Sequence, residues 1–307
     1  MWHDQVQKEY DLRINRVLNF IIANISGALP LSELAGIANY SPFHFQRIFK
    51  EVIGETPKQF ITRVRLENAA HSLMALKDKP IADVAHENGF SSSSTFARAF
   101  KSYFGVTAAA FRDLSIREHA LLRQKLMSHK NLSQQDTASA ISTLSDMNIP
   151  VEIRRVPRTR VAFINTDLFK AGSIEQAFIR LKALAEAHNL SPGQTTFLGI
   201  LHPHSGIYQA GIVVPAGQLL PEQLFETEVG AERYAVCKIM GPISHIFRAF
   251  HFVNDYWLPL RACRLKHLTV FEELLHDPLK FTYAKLERKV YIPIEPASAY
   301  AKLTVTG

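Results

Sequence analysis

The chain has 307 residues, 47% of them hydrophobic, and carries 35 Lys and Arg against 28 Asp and Glu, a formal net charge of +7. That length and apolar content suggest about two domains with real cores. There is no run of 18 apolar residues and no apolar stretch behind a basic start, so neither a membrane-spanning helix nor a secretory leader is expected, and the predicted location is cytoplasmic.

Taken in order, residues 4–26 read as a helix with Leu12, Val17, Leu18, Ile21, Ile22 and Ile25 on one face, ending near Gly27 and Pro30. A stretch from Leu31 to Phe60 follows, and it recurs from Ile81 to Phe111. Leu34-Ala35 matches Val84-Ala85, and Asn39-Tyr40-Ser41 matches Gly89-Phe90-Ser91. Phe45, Arg47, Phe49-Lys50, Gly54, Thr56 and Phe60 then match Phe96, Arg98, Phe100-Lys101, Gly105, Thr107 and Phe111, one residue further along. Repetition of this density is structural.

Each copy predicts a short apolar helix, a turn at Asn39 or Gly89 where φ > 0 is tolerated, and a second helix N-capped by Ser41 or Ser91. Phe45, Ile48, Phe49 and Val52 form the buried stripe of one second helix, and Phe96, Ala99, Phe100 and Tyr103 that of the other. Helix, tight turn and helix make a helix-turn-helix. The opposite face holds Phe43, Gln46, Arg47 and Lys50 in the first copy, and Ser94, Ala97, Arg98 and Lys101 in the second, with Ser93 and Thr95 nearby. Arg and Gln can read base edges in the major groove, while Lys, Ser and Thr suit phosphates. Arg47 and Arg98 are therefore the expected base contacts, and Lys50 and Lys101 the expected phosphate contacts.

Between the copies, over Pro57–Leu76, Phe60, Val64, Leu66, Ala69, Ala70 and Leu73 form an apolar face, and the family resemblance given below implies a long joining helix there. Arg63 and Glu67, four apart on it, are expected to pair rather than touch DNA. Residues 1–130 hold 17 Lys and Arg against 12 acids, and the remainder 18 against 16, so the positive excess leans toward the repeat.

After Arg112 the repeat stops. Residues 114–149 read as a linker, with a helical extension over 116–126 and a Ser-, Thr- and Gln-rich stretch from Ser133. Beyond Pro150 strands alternate with two helices: strands at 151–153, 160–165, 195–201 and 210–214 around a helix at 174–188. Strand pairs within 224–240, a helix at 242–257 and strands at 267–275 and 289–294 then follow. Two strand-helix-strand-strand halves imply an α+β domain behind the all-α one.

Little points to catalysis or metal. Cys237 and Cys263 lack metal-ligand spacing and read as reduced thiols. His202 and His204 would share a strand face, but no third ligand is evident and Pro203, Ser205 and Gly206 suggest a loop. No phosphate loop or nucleophile elbow is visible, and no cofactor is expected. Glu272 and Glu273 are adjacent, and on a strand they face opposite ways.

The segment from Ser41 to Lys50, and that from Gly89 through Lys101 to Thr107, closely resemble the two recognition-helix signatures of the AraC/XylS family of bacterial transcription regulators. The resemblance covers roughly residues 10–112. It implies two helix-turn-helix units on a rigid linker, set about 34 Å apart to enter successive major grooves of double-stranded DNA. The second half is similar to the GyrI-like effector-binding fold, through Met240-Gly241-Pro242, Phe271-Glu272 ahead of His276-Asp277-Pro278, and the closing Val290–Ile294 strand.

That likeness implies an effector site with Glu272 as its acid and Tyr208, Tyr256, Trp257 and Phe271 as its walls. A carboxylate between aromatic rings suits a cation. Two positions depart from the family, Ile243 for a Tyr and Gln209 for an acid, which leaves room for a neutral ligand. The resulting expectation is a transcription regulator controlled by a small amphiphilic or aromatic effector, with RNA polymerase as a further partner and no enzymatic activity. Two alternatives stand beside it. In one the second half is a small-molecule hydrolase with Glu272 as general base; in the other it binds only partners and no ligand.

Overall fold

A computed structural model describes residues 2–76, 79–114, 118, 122, 149–190 and 195–297. The chain divides into two units, Met1–His119 and Ala120–Gly307. The linker expected over 114–149, with its helix at 116–126, lies outside the described residues apart from Leu114, Glu118, Leu122 and Ile149.

In the first unit, α1 spans Trp2–Ala23, α2 Leu31–Ile37, α3 Pro42–Ile53, α4 Pro57–Ala75, α5 Ile81–Glu87, α6 Ser93–Phe104 and α7 Ala108–Asp113. The repeat is visible as duplicated packing. Phe45, Phe49 and Phe60 meet edge to face at 5.5 and 5.7 Å, and Phe96, Phe100 and Phe111 make the equivalent contacts at 5.3 Å each, the first tilted and the second edge to face. The turns also repeat: Asn39 sits at φ 54 and Gly89 at φ 77.

Ser41 caps α3 as expected, its hydroxyl accepting from the His44 amide. The cap of α6 is Ser92, not Ser91. The single inserted residue falls in the turn, so the residue equivalent to Ser41 is one further along than the turn match implies. Thr56 and Thr107 cap α4 and α7 in the same way, Thr56 within a full capping box with Gln59. The predicted apolar face of α4 is buried throughout, and α4 packs against α3, α5, α6 and α7.

The second unit holds β1 (Val151–Arg155), β2 (Thr159–Asp167), α8 (Ser173–Ala187), β3 (Phe197–His202) and β4 (Ile207–Val213). It continues with β5 (Phe225–Val229), β6 (Arg233–Met240), α9 (Ile243–His251), β7 (Cys263–Leu265), β8 (Val270–Leu274) and β9 (Glu287–Pro296). The helix expected to reach Trp257 does so, but residues 252–257 are π-helical. The short β7 was not expected.

All described pairings are antiparallel, in the order β1-β6-β9-β8-β3-β4-β2-β5, with β7 on β9. The first strand of each half lies at the outer edge of the other half's strands, so the halves exchange arms around the central β3–β8 pair. The larger core lies on the side of the sheet carrying α8 and α9, and includes Leu181, Phe178, Ile246, Val253, Cys237 and Val290. A second cluster, with Phe163, Leu198, Tyr234, Phe271 and Tyr291, lines the other side.

Candidate DNA interface and the buried carboxylate cluster

The stripe that packs α3 and α6 into the first unit leaves the rest of each helix to solvent. Phe43 is 83% exposed, and Gln46, Arg47 and Lys50 are exposed beside it. On α6, Ser93, Ser94, Thr95, Ala97, Arg98 and Lys101 are all exposed. Arg47 and Arg98 occupy equivalent turns, as do Lys50 and Lys101. Among the described residues these four cations pair with no carboxylate, whereas Arg13, Arg63 and Lys79 are held by Glu9, Glu55 and Glu87. An exposed cation without an internal partner is free to meet phosphate or a base edge. Ser94 and Thr95 are less free, since both hydroxyls share the Ser92 cap hydroxyl at 3.2 and 2.9 Å.

Two polar connections run through α4 from one motif to the other. In the first, Arg63 bonds Glu55, just beyond α3, at 2.5 Å, and lies 3.8 Å from Glu67. Glu67 in turn accepts the Tyr103 hydroxyl from α6. Burial, then the Glu67 charge, pushes the Tyr103 pKa up, which keeps the hydroxyl a donor. The expected Arg63–Glu67 pair is therefore the weaker half of a wider network.

In the second connection, Arg65 donates to Ile25 O at 2.8 Å, Gly27 O at 2.6 Å and Gly89 O at 2.9 Å. It ties the approach to α2 to the turn of the second motif. The positive φ of Gly89 favours glycine, and a Cβ there would stand 2.8 Å from the Arg65 guanidinium carbon and press the guanidinium away from its carbonyl partners. The role of Arg65 could not be read from periodicity, because its partners are backbone carbonyls far along the chain.

In the second unit Glu272 sits mid-sheet on β8, paired across the centre with Gly199 of β3. It is fully buried on the side carrying α8 and α9. Its Oε1 accepts the hydroxyls of Tyr208 at 2.6 Å and Tyr283 at 2.5 Å, and its Oε2 faces Arg288 Nη1 at 3.2 Å. Arg288 is also fully buried. Its Nη2 donates to Gly241 O, Leu286 O and Tyr283 O, and its guanidinium lies 4.0 Å from the Tyr283 ring centre. Gly199 makes the cluster possible, since a Cβ there would lie 1.9 Å from the Tyr208 hydroxyl. Burial holds the Glu272 carboxyl above the ordinary carboxylate range, and Arg288 and the two hydroxyls offset that only in part. Burial and the neighbouring Glu272 push both tyrosine hydroxyls up, so they remain protonated donors.

The structure thus joins Glu272 to Tyr208 from the expected site residues and adds Tyr283 and Arg288. Phe271 does not belong with them. It points to the other side of the sheet and stacks on Tyr291 at 4.4 Å, because neighbours on a strand alternate faces. The same parity sends Glu273 away, to accept the Tyr291 hydroxyl. Trp257 packs into the larger core with Arg261 over its ring, and Tyr256 is 39% exposed; neither bonds Glu272. A signal for Arg288 was present in the sequence. It shares strand parity with Val290, Ile292 and Ile294, so it had to point inward, and an inward charge needs a partner.

Elsewhere His202 bonds Gln209 at 3.1 Å, and burial lowers its pKa to about 4. A groove of about 590 Å³ runs past Lys182, Thr195, Phe197, Glu273, His276 and Asp277, with Lys182 and Asp277 paired at 2.9 Å. Among the described residues no three His, Cys, Asp or Glu are placed to hold a metal, and no helix is long and apolar enough to cross a membrane.

Comparison with known proteins places these features. Residues 34–113 match a helix-turn-helix domain family, and residues 149–295 match the GyrI-like small molecule binding domain. The probable transcription factor PqrA of Proteus vulgaris is 37% identical over 102 residues, 33% of this chain and 83% of that protein. The transposon Tn10 TetD protein of Escherichia coli is 37% identical over 115 residues, 36% of this chain and 83% of that one. The HTH-type transcriptional activator AarP of Providencia stuartii is 29% identical over 126 residues, 40% of this chain and 90% of that one. With two capped helix-turn-helix motifs ahead of a GyrI-like domain, the chain belongs to the AraC-type DNA-binding transcription regulators.

Proposed function

We propose that this regulator reads a specific DNA site with both recognition helices, under the control of a small molecule bound in its second unit. Arg47 and Arg98 contact bases, Gln46 and Phe43 extend the first contact, and Ser93 and Ala97 line the second. Lys50 and Lys101 contact phosphate. Residues 1–113 form the DNA-binding domain, 114–149 a linker and 150–307 the ligand-binding domain, with the whole acting in the cytoplasm and RNA polymerase as the downstream partner. The observation that carries this reading is the pair of unpartnered, solvent-facing arginines at equivalent turns of two separately capped helices.

The reading is non-enzymatic. A general base needs a lone pair open to substrate. Both oxygens of Glu272 are engaged and the residue has no exposed surface. The test is DNA binding by the full chain, at stated salt, to sites selected from random sequence. Specific sites bound well above random DNA, with the margin lost in Arg47→Ala and Arg98→Ala, support the reading. Equal affinity for all sequences sinks it. Ligand turnover abolished by Glu272→Gln would replace the sensor reading with the hydrolase one.

A further inference from the structure

We infer that Arg288 is a tethered cation filling the Glu272 site from within, so that this site is closed to cationic ligands. The inference rests on the effector reading above for its ligand, but not for its geometry.

A buried carboxylate beside an aromatic face is a cation site by its chemistry: the charge supplies the ion pair and the ring supplies cation–π attraction. Glu272 and Tyr283 form such a site. Its occupant is already present: the Arg288 guanidinium lies 3.2 Å from the Glu272 carboxylate and 4.0 Å from the centre of the Tyr283 ring. Both charged side chains have no exposed surface.

The guanidinium is held from its other edge as well, by Gly241 O at 2.8 Å, Leu286 O and Tyr283 O. Leu286 and Tyr283 belong to the turn leading into the strand that carries Arg288, so the cation's cradle is built by its own neighbourhood. Gly241 lies across it, at the start of α9.

An incoming cation would have to displace a fully bonded guanidinium and leave it buried without its counter-ion, at a cost no equal replacement recovers. An anion fares no better, since the arginine that would receive it is already committed to Glu272. Arg288 is therefore a specificity-determining residue.

The test uses the full chain and needs no knowledge of the natural effector. Arg288→Ala removes the atoms of ethylguanidinium from the site. Ethylguanidinium chloride should raise the melting temperature of R288A by a few degrees over equal sodium chloride, and leave the unsubstituted chain and R288A/E272Q unmoved. If R288A does not fold alone, the same salt should restore soluble, folded protein, and sodium chloride should not. Separately, benzyltrimethylammonium should show no Glu272-dependent binding to the unsubstituted chain by calorimetry. No rescue of R288A overturns the proposal, as does benzyltrimethylammonium binding that Glu272→Gln abolishes. A chain whose DNA binding answers to no small molecule would instead sink the effector reading, and leave these results interpretable.

Discussion

Arg65→Met is the sharpest test of how the two recognition helices are held. The substitution keeps most of the aliphatic stem and removes three bonds, to Ile25 O, Gly27 O and Gly89 O at 2.8, 2.6 and 2.9 Å. Arg65 is partly buried, and burial lowers its pKa. Charged donors give about 1.5–3 kcal/mol per bond when buried; with water able to replace them here, about 1 kcal/mol each is the better figure, or about 3 kcal/mol in all. Urea unfolding should show that loss, and hydrogen exchange should quicken at residues 25–29 and 88–90.

The functional consequence separates a yoke from a mere stabiliser. Loosening the second motif from the first removes preorganisation, so affinity for a site spanning both grooves should fall by up to about a hundredfold, since 1.4 kcal/mol is tenfold. Affinity for a half-site read by the first helix alone should change by less than about threefold, because Arg47 and Gln46 are untouched. Fluorescence anisotropy on full-site and half-site duplexes at one salt concentration measures both. Equal losses on the two duplexes, or no loss on either, would refute the claim that Arg65 acts through the spacing of the helices.

Other expectations follow from the same geometry. Arg98→Ala should cost about 1–3 kcal/mol at a specific site and relax specificity there, while Lys50→Ala weakens all sequences alike and lowers the salt slope by about one; competition titrations across salt check both. Gly199→Ala places a methyl 1.9 Å from the Tyr208 hydroxyl and 2.8 Å from Glu272 Oε1, and should cost the second unit more than about 3 kcal/mol in urea unfolding. Tyr208→Phe removes one donor from a buried carboxylate and should cost about 1–3 kcal/mol by the same measurement.

His202 makes stability depend on pH. Its folded pKa of about 4 lies below the ordinary 6.5, so its contribution is complete above about pH 6.5 and is lost as pH falls toward 4. The full shift is worth at most about 3 kcal/mol, a ceiling because the ring keeps some exposed surface. His202→Gln should flatten that part of the stability profile, and an unchanged profile would count against it.

The sequence by itself determined the local structure. The Ser41 cap, the Asn39 and Gly89 turns and the aromatic stripes each depend on residues within a few positions of one another, although the cap of α6 fell on Ser92 rather than the expected Ser91. Helix period and turn chemistry therefore fixed the two motifs, and placed Arg47 and Arg98 outward. Strand parity likewise set Glu272 and Glu273 on opposite sides, and it already contradicted a site that included Phe271.

What only the tertiary structure decided is which distant strands and helices become neighbours. Parity shows that Arg288 faces inward, but not that β9 lies beside β8 and delivers it to Glu272. Periodicity puts Arg65 on α4, but its three carbonyl partners come from loops that only packing brings to it. The exchange of β1 and β5 between halves is of the same kind. Strand pairing satisfies backbone groups that are alike in every residue, so the choice of partner is made by the assembled core rather than by any local pattern.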